Sequence, residues 1–93
     1  MVYSTCSLNP LEDEAVVANI IRRTQGSLQL VDVSNELPNL KRKPGIKHWR
    51  VMDRDGTWYN THEELPTERA LKMPKTLFPP TEEEASEMHL ERW

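Results

Sequence analysis

The sequence predicts an α/β chain: one β-α-β unit over residues 1–33, a β-hairpin over 47–60 and a short terminal helix over 82–93. Three observations carry this prediction. A strand-like Met1-Val-Tyr3 runs into an amphipathic stretch with helix-start signals. Leu28 to Val33 alternates apolar and polar residues before turning β-branched. Asp53-Arg-Asp-Gly56 separates two short runs rich in aromatic and β-branched residues.

Residues 1–5 read as the end of a strand. Asn9 suits an N-cap, Pro10 the first helical position, and Glu12 lies three residues past the cap, where a capping box takes an acid. Glu12, Asp13 and Glu14 suit the positive end of the helix dipole, and Arg22 and Arg23 its negative end. Ala15, Val16, Ala18, Ile20 and Ile21 form the apolar stripe, Val17 widens it, and Gly26 stops the helix. Leu28 to Val33 follows as a second strand, giving a right-handed crossover. Two parallel strands and one helix cannot cover both faces of a sheet, so the pattern implies a piece of something larger.

Asn35, Pro38, Asn39, Pro44 and Gly45 make 34–46 an irregular connection. In the hairpin, Trp49, Val51 and Trp58 are expected to share one face. Prolines 66, 74, 79 and 80 leave room for one or two helical turns at 67–73. Thr81-Glu-Glu-Glu84 repeats the capping pattern, with Ala85, Met88 and Trp93 on one face of the terminal helix.

Ninety-three residues, 37% apolar and 29% charged, suffice for one small domain. A single cysteine allows no intrachain disulfide and points to an intracellular protein. No apolar run approaches the roughly 20 residues of a spanning helix, so no membrane role is expected. The net charge of −3 argues against a free-standing nucleic-acid binder. Yet Lys41, Arg42, Lys43, Lys47, Arg50 and Arg54 cluster around one acid, Asp53. That cluster reads either as a solvated loop and strand surface or as a contact for phosphates, the former being the simpler reading of charge alone.

Cys6 is the residue that could carry chemistry. It falls at a strand end, between hydroxyl residues and just before a helix start, where a thiol is readily activated. The alternative is a small buried hydrophobe. His48, His62 and His89 show no ligand spacing and no second cysteine, so no metal site is expected. A Cys–His hydrolase dyad would require the chain to fold back on itself. Gly26, Gly45 and Gly56 are too scattered for a phosphate loop, and Asp32 lacks the glycine fingerprint of a ribose-binding acid. Trp49, Trp58 and Tyr59 could stack bases, but packing within the hairpin is the simpler reading.

The run Tyr3-Ser-Thr-Cys-Ser-Leu-Asn-Pro10 followed by Glu12-Asp-Glu-Ala-Val16 resembles the nucleophile motif of the Sun-domain RNA cytosine-5 methyltransferases. Asp32-Val-Ser-Asn-Glu-Leu-Pro38, Lys43-Pro-Gly-Ile46, the Trp49…Gly56…Trp58 hairpin, Leu77-Phe-Pro-Pro80 and Met88-His-Leu-Glu-Arg92 are similar to the eukaryotic tRNA branch. The resemblance implies a partial Rossmann-like methyltransferase fold, with 1–33 the β-α-β portion of the catalytic domain and 34–93 a family-specific insertion. It implies that Cys6 attacks C6 of cytosine, so that C5 can take a methyl group from S-adenosylmethionine, with the base unstacked for the thiolate to reach it. It makes RNA, chiefly tRNA, the partner, with Lys41, Arg42, Lys43, Lys47 and Arg50 as candidate contacts, and the nucleus or nucleolus the location. The family's cofactor loop, its Asp-x-Pro-Cys motif and its Gly-Gly-Phe-Phe-Val-Ala strand are absent, and Trp93 replaces a small residue or a cysteine. That strand would lie between the two strands of the β-α-β unit. The chain alone is therefore expected to be inactive, a C-terminal part of a catalytic domain. The alternative is a truncated, non-catalytic fragment that binds RNA or a partner.

Overall fold

The structure, a computed structural model, describes residues 1–93. Its longest element is α1 (Glu14–Thr24), which buries Ala15 and Ala18 and ends on Gln25 in the left-handed conformation (φ 49°), just before Gly26. Arg22 and Arg23 fall in its last turn, as the dipole favours. The two-stranded hairpin pairs β1 (Val51–Met52) with β2 (Trp58–Tyr59), antiparallel, in the register Val51↔Tyr59 and Met52↔Trp58. Its turn is closed by Gly56 N–H donating to the Asp53 carbonyl at 2.9 Å and Asp53 N–H to the Thr57 carbonyl at 2.8 Å. Gly56 holds φ 87°, a conformation that a Cβ would strain. The short helices α2 (Thr67–Ala70) and α3 (Glu82–Glu87) follow, with 3₁₀ turns at His62–Glu64, Lys75–Leu77 and Leu90–Arg92.

One core joins these pieces. Trp49 and Val51 from the hairpin meet Leu65, Met73 and Phe78 from the proline-punctuated segment and Ala15 from α1, with Leu11, Tyr59, Ala70 and Leu77 around them. Small residues on the inner face of α1 let it pack against the 3₁₀ turn Lys75–Leu77. The polar edge of Trp49 is satisfied too: its Nε1–H donates to the Leu77 carbonyl at 2.9 Å. Burying an indole without that partner would cost stability.

Four expectations are corrected. Residues 1–5 and 28–33 form no strand, and no backbone hydrogen bond joins them. A strand exists only through its ladder, and these segments find no partner here. The β-α-β unit is thus present as its helix alone. Second, Trp58 does not share a face with Trp49 and Val51. The observed register places it opposite Met52 on the outer face, and Tyr59 takes the inner position. Third, the capping box at Asn9 does not close. Asn9 N–H donates to Ser7 Oγ at 3.0 Å rather than to Glu12, Asn9 Oδ1 accepts from Leu11 N–H at 3.1 Å, and regular helix starts only at Glu14 after a turn. A local side-chain turn has outcompeted the box.

Fourth, the terminal helix is two pieces, Glu82–Glu87 and Leu90–Arg92. Thr81 caps α3 by accepting from Glu84 N–H at 3.2 Å, as its sequence suggests. His89 then turns left-handed (φ 54°) and swings Leu90, fully buried, into the interior. The same bend brings Trp93 onto Gly45, where Gly45 N–H donates to the Trp93 carbonyl at 3.3 Å. A Cβ on Gly45 would lie 2.6 Å from Trp93 Cδ1, so only glycine permits this approach.

Candidate functional site

Cys6 stands free and exposed in a bend. Its loop is held by a relay of short side-chain turns. Ser7 N–H donates to Thr5 Oγ1 at 3.1 Å, Asn9 N–H to Ser7 Oγ, and Leu11 N–H to Asn9 Oδ1. Tyr3 closes the loop from outside, its hydroxyl donating to the Glu12 carbonyl at 2.5 Å. Thr5 and Ser7 therefore shape the backbone on either side of the thiol. In this chain the cysteine stands out in solvent and is not a buried hydrophobe. A hollow of about 220 Å³ lies behind the loop, walled by Tyr3, Ser4, Thr5, Asp13, Gly45 and Trp93.

No imidazole reaches the thiol. His62 Nε2–H donates to the Met73 carbonyl at 2.8 Å, and its ring meets Phe78 edge-on at 5.7 Å, so it serves the core. His89 Nδ1 pairs with Glu91 Oε1 at 3.2 Å. His48 is exposed at the mouth of a larger cleft of about 620 Å³, whose walls include Trp49, Phe78 and Thr76 but not Cys6. A Cys–His dyad is therefore not assembled. No group of His, Cys, Asp and Glu side chains is gathered to hold a metal ion. Asp32 Oδ1 accepts from Ser34 N–H at 2.9 Å, and those Ser34 bonds hold its carboxyl below the usual range; it shapes a turn.

The candidate RNA-contact residues differ in what they touch. Lys41, Lys43 and Lys47 are exposed and make no ion pair. Arg42 is committed to its own loop, donating to the carbonyls of Val33 at 2.9 Å, of Leu37 at 3.3 Å and of Glu36. Arg50 lies over the Trp58 ring, its guanidinium carbon 5.1 Å from the centroid.

Sequence reasoning missed the ion pair that organises the hairpin turn. Asp53, the one acid of the basic stretch, is buried and takes Arg69 in a two-point grip, Nε–H to Oδ2 at 2.7 Å and Nη2–H to Oδ1 at 2.5 Å. Arg54 N–H adds a third donor at 2.7 Å. The Arg69 hydrogen bonds first, then the Arg54 N–H, hold the Asp53 carboxyl below its ordinary value, and Asp53 in turn raises Arg69. Arg22 and Glu84 tie α1 to α3 at 2.8 Å. Burial pushes Glu84 up, but Arg22 and Thr81 outweigh it and the carboxyl ends lower than usual. The only sequence signal for either pair was an acid alone among cations, or an acid at a helix start.

The chain has relatives of known activity. It is 42% identical over 92 residues to a multisite-specific tRNA:(cytosine-C(5))-methyltransferase of Schizosaccharomyces pombe, a match covering 99% of this chain and 13% of that protein. It is 38% identical over 93 residues to the tRNA (cytosine(34)-C(5))-methyltransferase of Drosophila melanogaster (99% of this chain, 12% of the relative). It is 41% identical over 91 residues to a multisite-specific tRNA:(cytosine-C(5))-methyltransferase of Saccharomyces cerevisiae (98% and 12%). The chain thus spans about an eighth of the length of the curated relatives it matches. No family profile matches it, and no solved structure does.

Proposed function

We infer from this kinship that the chain is a segment of the catalytic domain of an S-adenosylmethionine-dependent RNA cytosine-5 methyltransferase acting on tRNA, with Cys6 its nucleophile. The observation that carries the reading is the nearly end-to-end match, which takes in the loop holding the one cysteine, exposed and framed by Thr5 and Ser7. C5 of cytosine is a weak nucleophile because its electrons are shared with the ring. Addition of the Cys6 thiolate to C6 breaks that conjugation and leaves C5 enamine-like, able to attack a methyl donor. Removal of the C5 proton then restores the double bond and expels the thiolate. An exposed thiol on a short polar loop suits this role, since the base must be unstacked and brought to it.

The residues of this chain do not fit the methyl donor itself. Its three glycines lie in separate turns, and no strand leads into a glycine loop and a helix. On this reading the donor's site lies outside these 93 residues, and the chain by itself is expected to be inactive. Incubating it with tRNA and methyl-labelled donor should transfer no label; transfer above background would overturn that statement. The reading carries a nuclear or nucleolar location with it. The second reading, a truncated form that binds RNA or a partner without chemistry, is favoured by the exposed Trp58 and its arginine.

Covalent trapping separates the two. RNA carrying 5-azacytosine should form a denaturation-resistant adduct with the longer protein that contains this segment. Mass spectrometry should place the adduct on the Cys6 peptide, and Cys6→Ala should abolish it. An adduct that survives that substitution, or maps to another cysteine, would sink the assignment.

A further inference from the structure

We propose that the outer face of the hairpin is a stacking platform for an unpaired RNA base, with Trp58 as the platform and Arg50 and Arg54 as phosphate contacts. This rests on the RNA reading above and names a surface for it. The hairpin alternates strictly from residue 49 to 54: Trp49, Val51 and Asp53 are buried, and Arg50, Met52 and Arg54 are exposed. Trp58 joins the exposed row as the cross-strand partner of Met52.

The outer face therefore carries two arginines, a methionine and an indole. The single acid of β1 and its flanks is turned inward and neutralised by Arg69. Asp55, in the turn, is occupied by Thr57 N–H at 2.9 Å. A tryptophan 52% exposed beside an equally exposed methionine is apolar surface that the fold itself does not use. Arg50 lies against the ring and leaves more than half of Trp58 in solvent. Every base offers a π-face to an aromatic ring, and a guanidinium lying over one face of that ring leaves the base the exposed remainder while it meets a neighbouring phosphate. A duplex keeps its faces stacked and would not use the indole. The chemistry selects a single strand or a loop.

The test is RNA binding by the chain, followed by fluorescence anisotropy of a short labelled single-stranded oligoribonucleotide and of the same sequence as a blunt duplex, across a salt series. Trp58→Ala should weaken single-strand binding about tenfold with an unchanged salt slope, and Trp58→Phe should keep most of the affinity. Arg50→Ala should weaken binding and lower the salt slope by about one. Circular dichroism checks that each variant keeps its fold. Three results would overturn the proposal: no binding by the parent chain, equal binding of duplex and single strand, or Trp58→Ala binding as well as the parent. A Trp58-dependent complex with a protein in place of RNA would also overturn it. The platform is read as RNA affinity and Cys6 as covalent trapping, so either can fail without the other.

Discussion

Asp53 shows how one side chain settles the orientation of a whole strand. Turned inward, it meets Arg69 and a backbone N–H, and its cationic neighbours are left facing out. Its carboxyl is held below the ordinary value of 3.8, chiefly by the Arg69 hydrogen bonds. A depressed folded-state value contributes stability above the unfolded value that is lost as pH falls through the folded one. The chain should therefore lose stability as pH drops below about 4, and Asp53→Asn, measured by thermal melts between neutral and acid pH, should flatten that loss. An Asp53→Asn chain with the parent's acid dependence would contradict the assignment. Gly45 sets a second residue-scale limit. Its missing Cβ is what lets Trp93 dock, so Gly45→Ala should displace the indole, seen as a red shift in tryptophan emission, and cost about 1–3 kcal/mol.

At the scale of elements, the two faces of the hairpin should respond unequally to truncation. Phe78, buried against the inner face, should cost about 3–5 kcal/mol as Phe78→Ala, and Leu90→Ala about 2–5 kcal/mol. Trp58→Ala on the outer face should stay within about 0.5 kcal/mol, and urea titration would show any departure. Which elements were legible in the sequence follows from the same distinction. The helix and the hairpin turn were readable because their signals are local: an apolar stripe, arginines at the C-terminal end, and Asp-Arg-Asp-Gly before an aromatic run. The polar setting of Cys6 was readable for the same reason, since Thr5, Ser7 and Asn9 build the loop from within, whereas the sequence alone leaves its exposure open between a free thiol and a buried hydrophobe. The pairing register was not readable, because placing Trp58 outward depends on the turn closing between Asp53 and Thr57. Nor were Arg69 and Arg22 readable as ion-pair partners, since they meet acids 16 and 62 residues away. Residues 1–5 and 28–33 carry strand composition without a ladder, and composition alone does not supply the neighbouring strand.

For the molecule as a whole, surface area decides how firmly these pieces are held. A folded monomer of 10.9 kDa exposes about 5,600 Å² on the usual scaling, whereas this chain exposes 7461 Å². Its radius of gyration is 14.6 Å, against about 12 Å for a compact domain of this length. The backbone makes 36 internal hydrogen bonds where about sixty are usual. The excess surface is not spread evenly. Of the six large apolar residues that are 70% or more exposed, Met1, Val2, Leu8, Val31 and Leu37 lie in the segments that read as strands or in the loops that follow them, and only Leu71 lies elsewhere. The centre around Trp49, Val51 and Phe78 is well packed, while two extended arms carry apolar side chains that nothing covers. Local stability should divide along that line. In hydrogen exchange followed by mass spectrometry, amides of residues 1–8 and 28–43 should exchange without measurable protection, while those of 15–24 and of the 51–59 hairpin exchange more slowly. In a longer protein containing the segment, the arms should gain protection if they are the sheet strands of the proposed architecture. Equal protection across the isolated chain would mean that the arms are already packed. Arms that stayed unprotected in the longer protein would remove the sheet from the proposed architecture and leave Cys6 on a loop with no strand behind it.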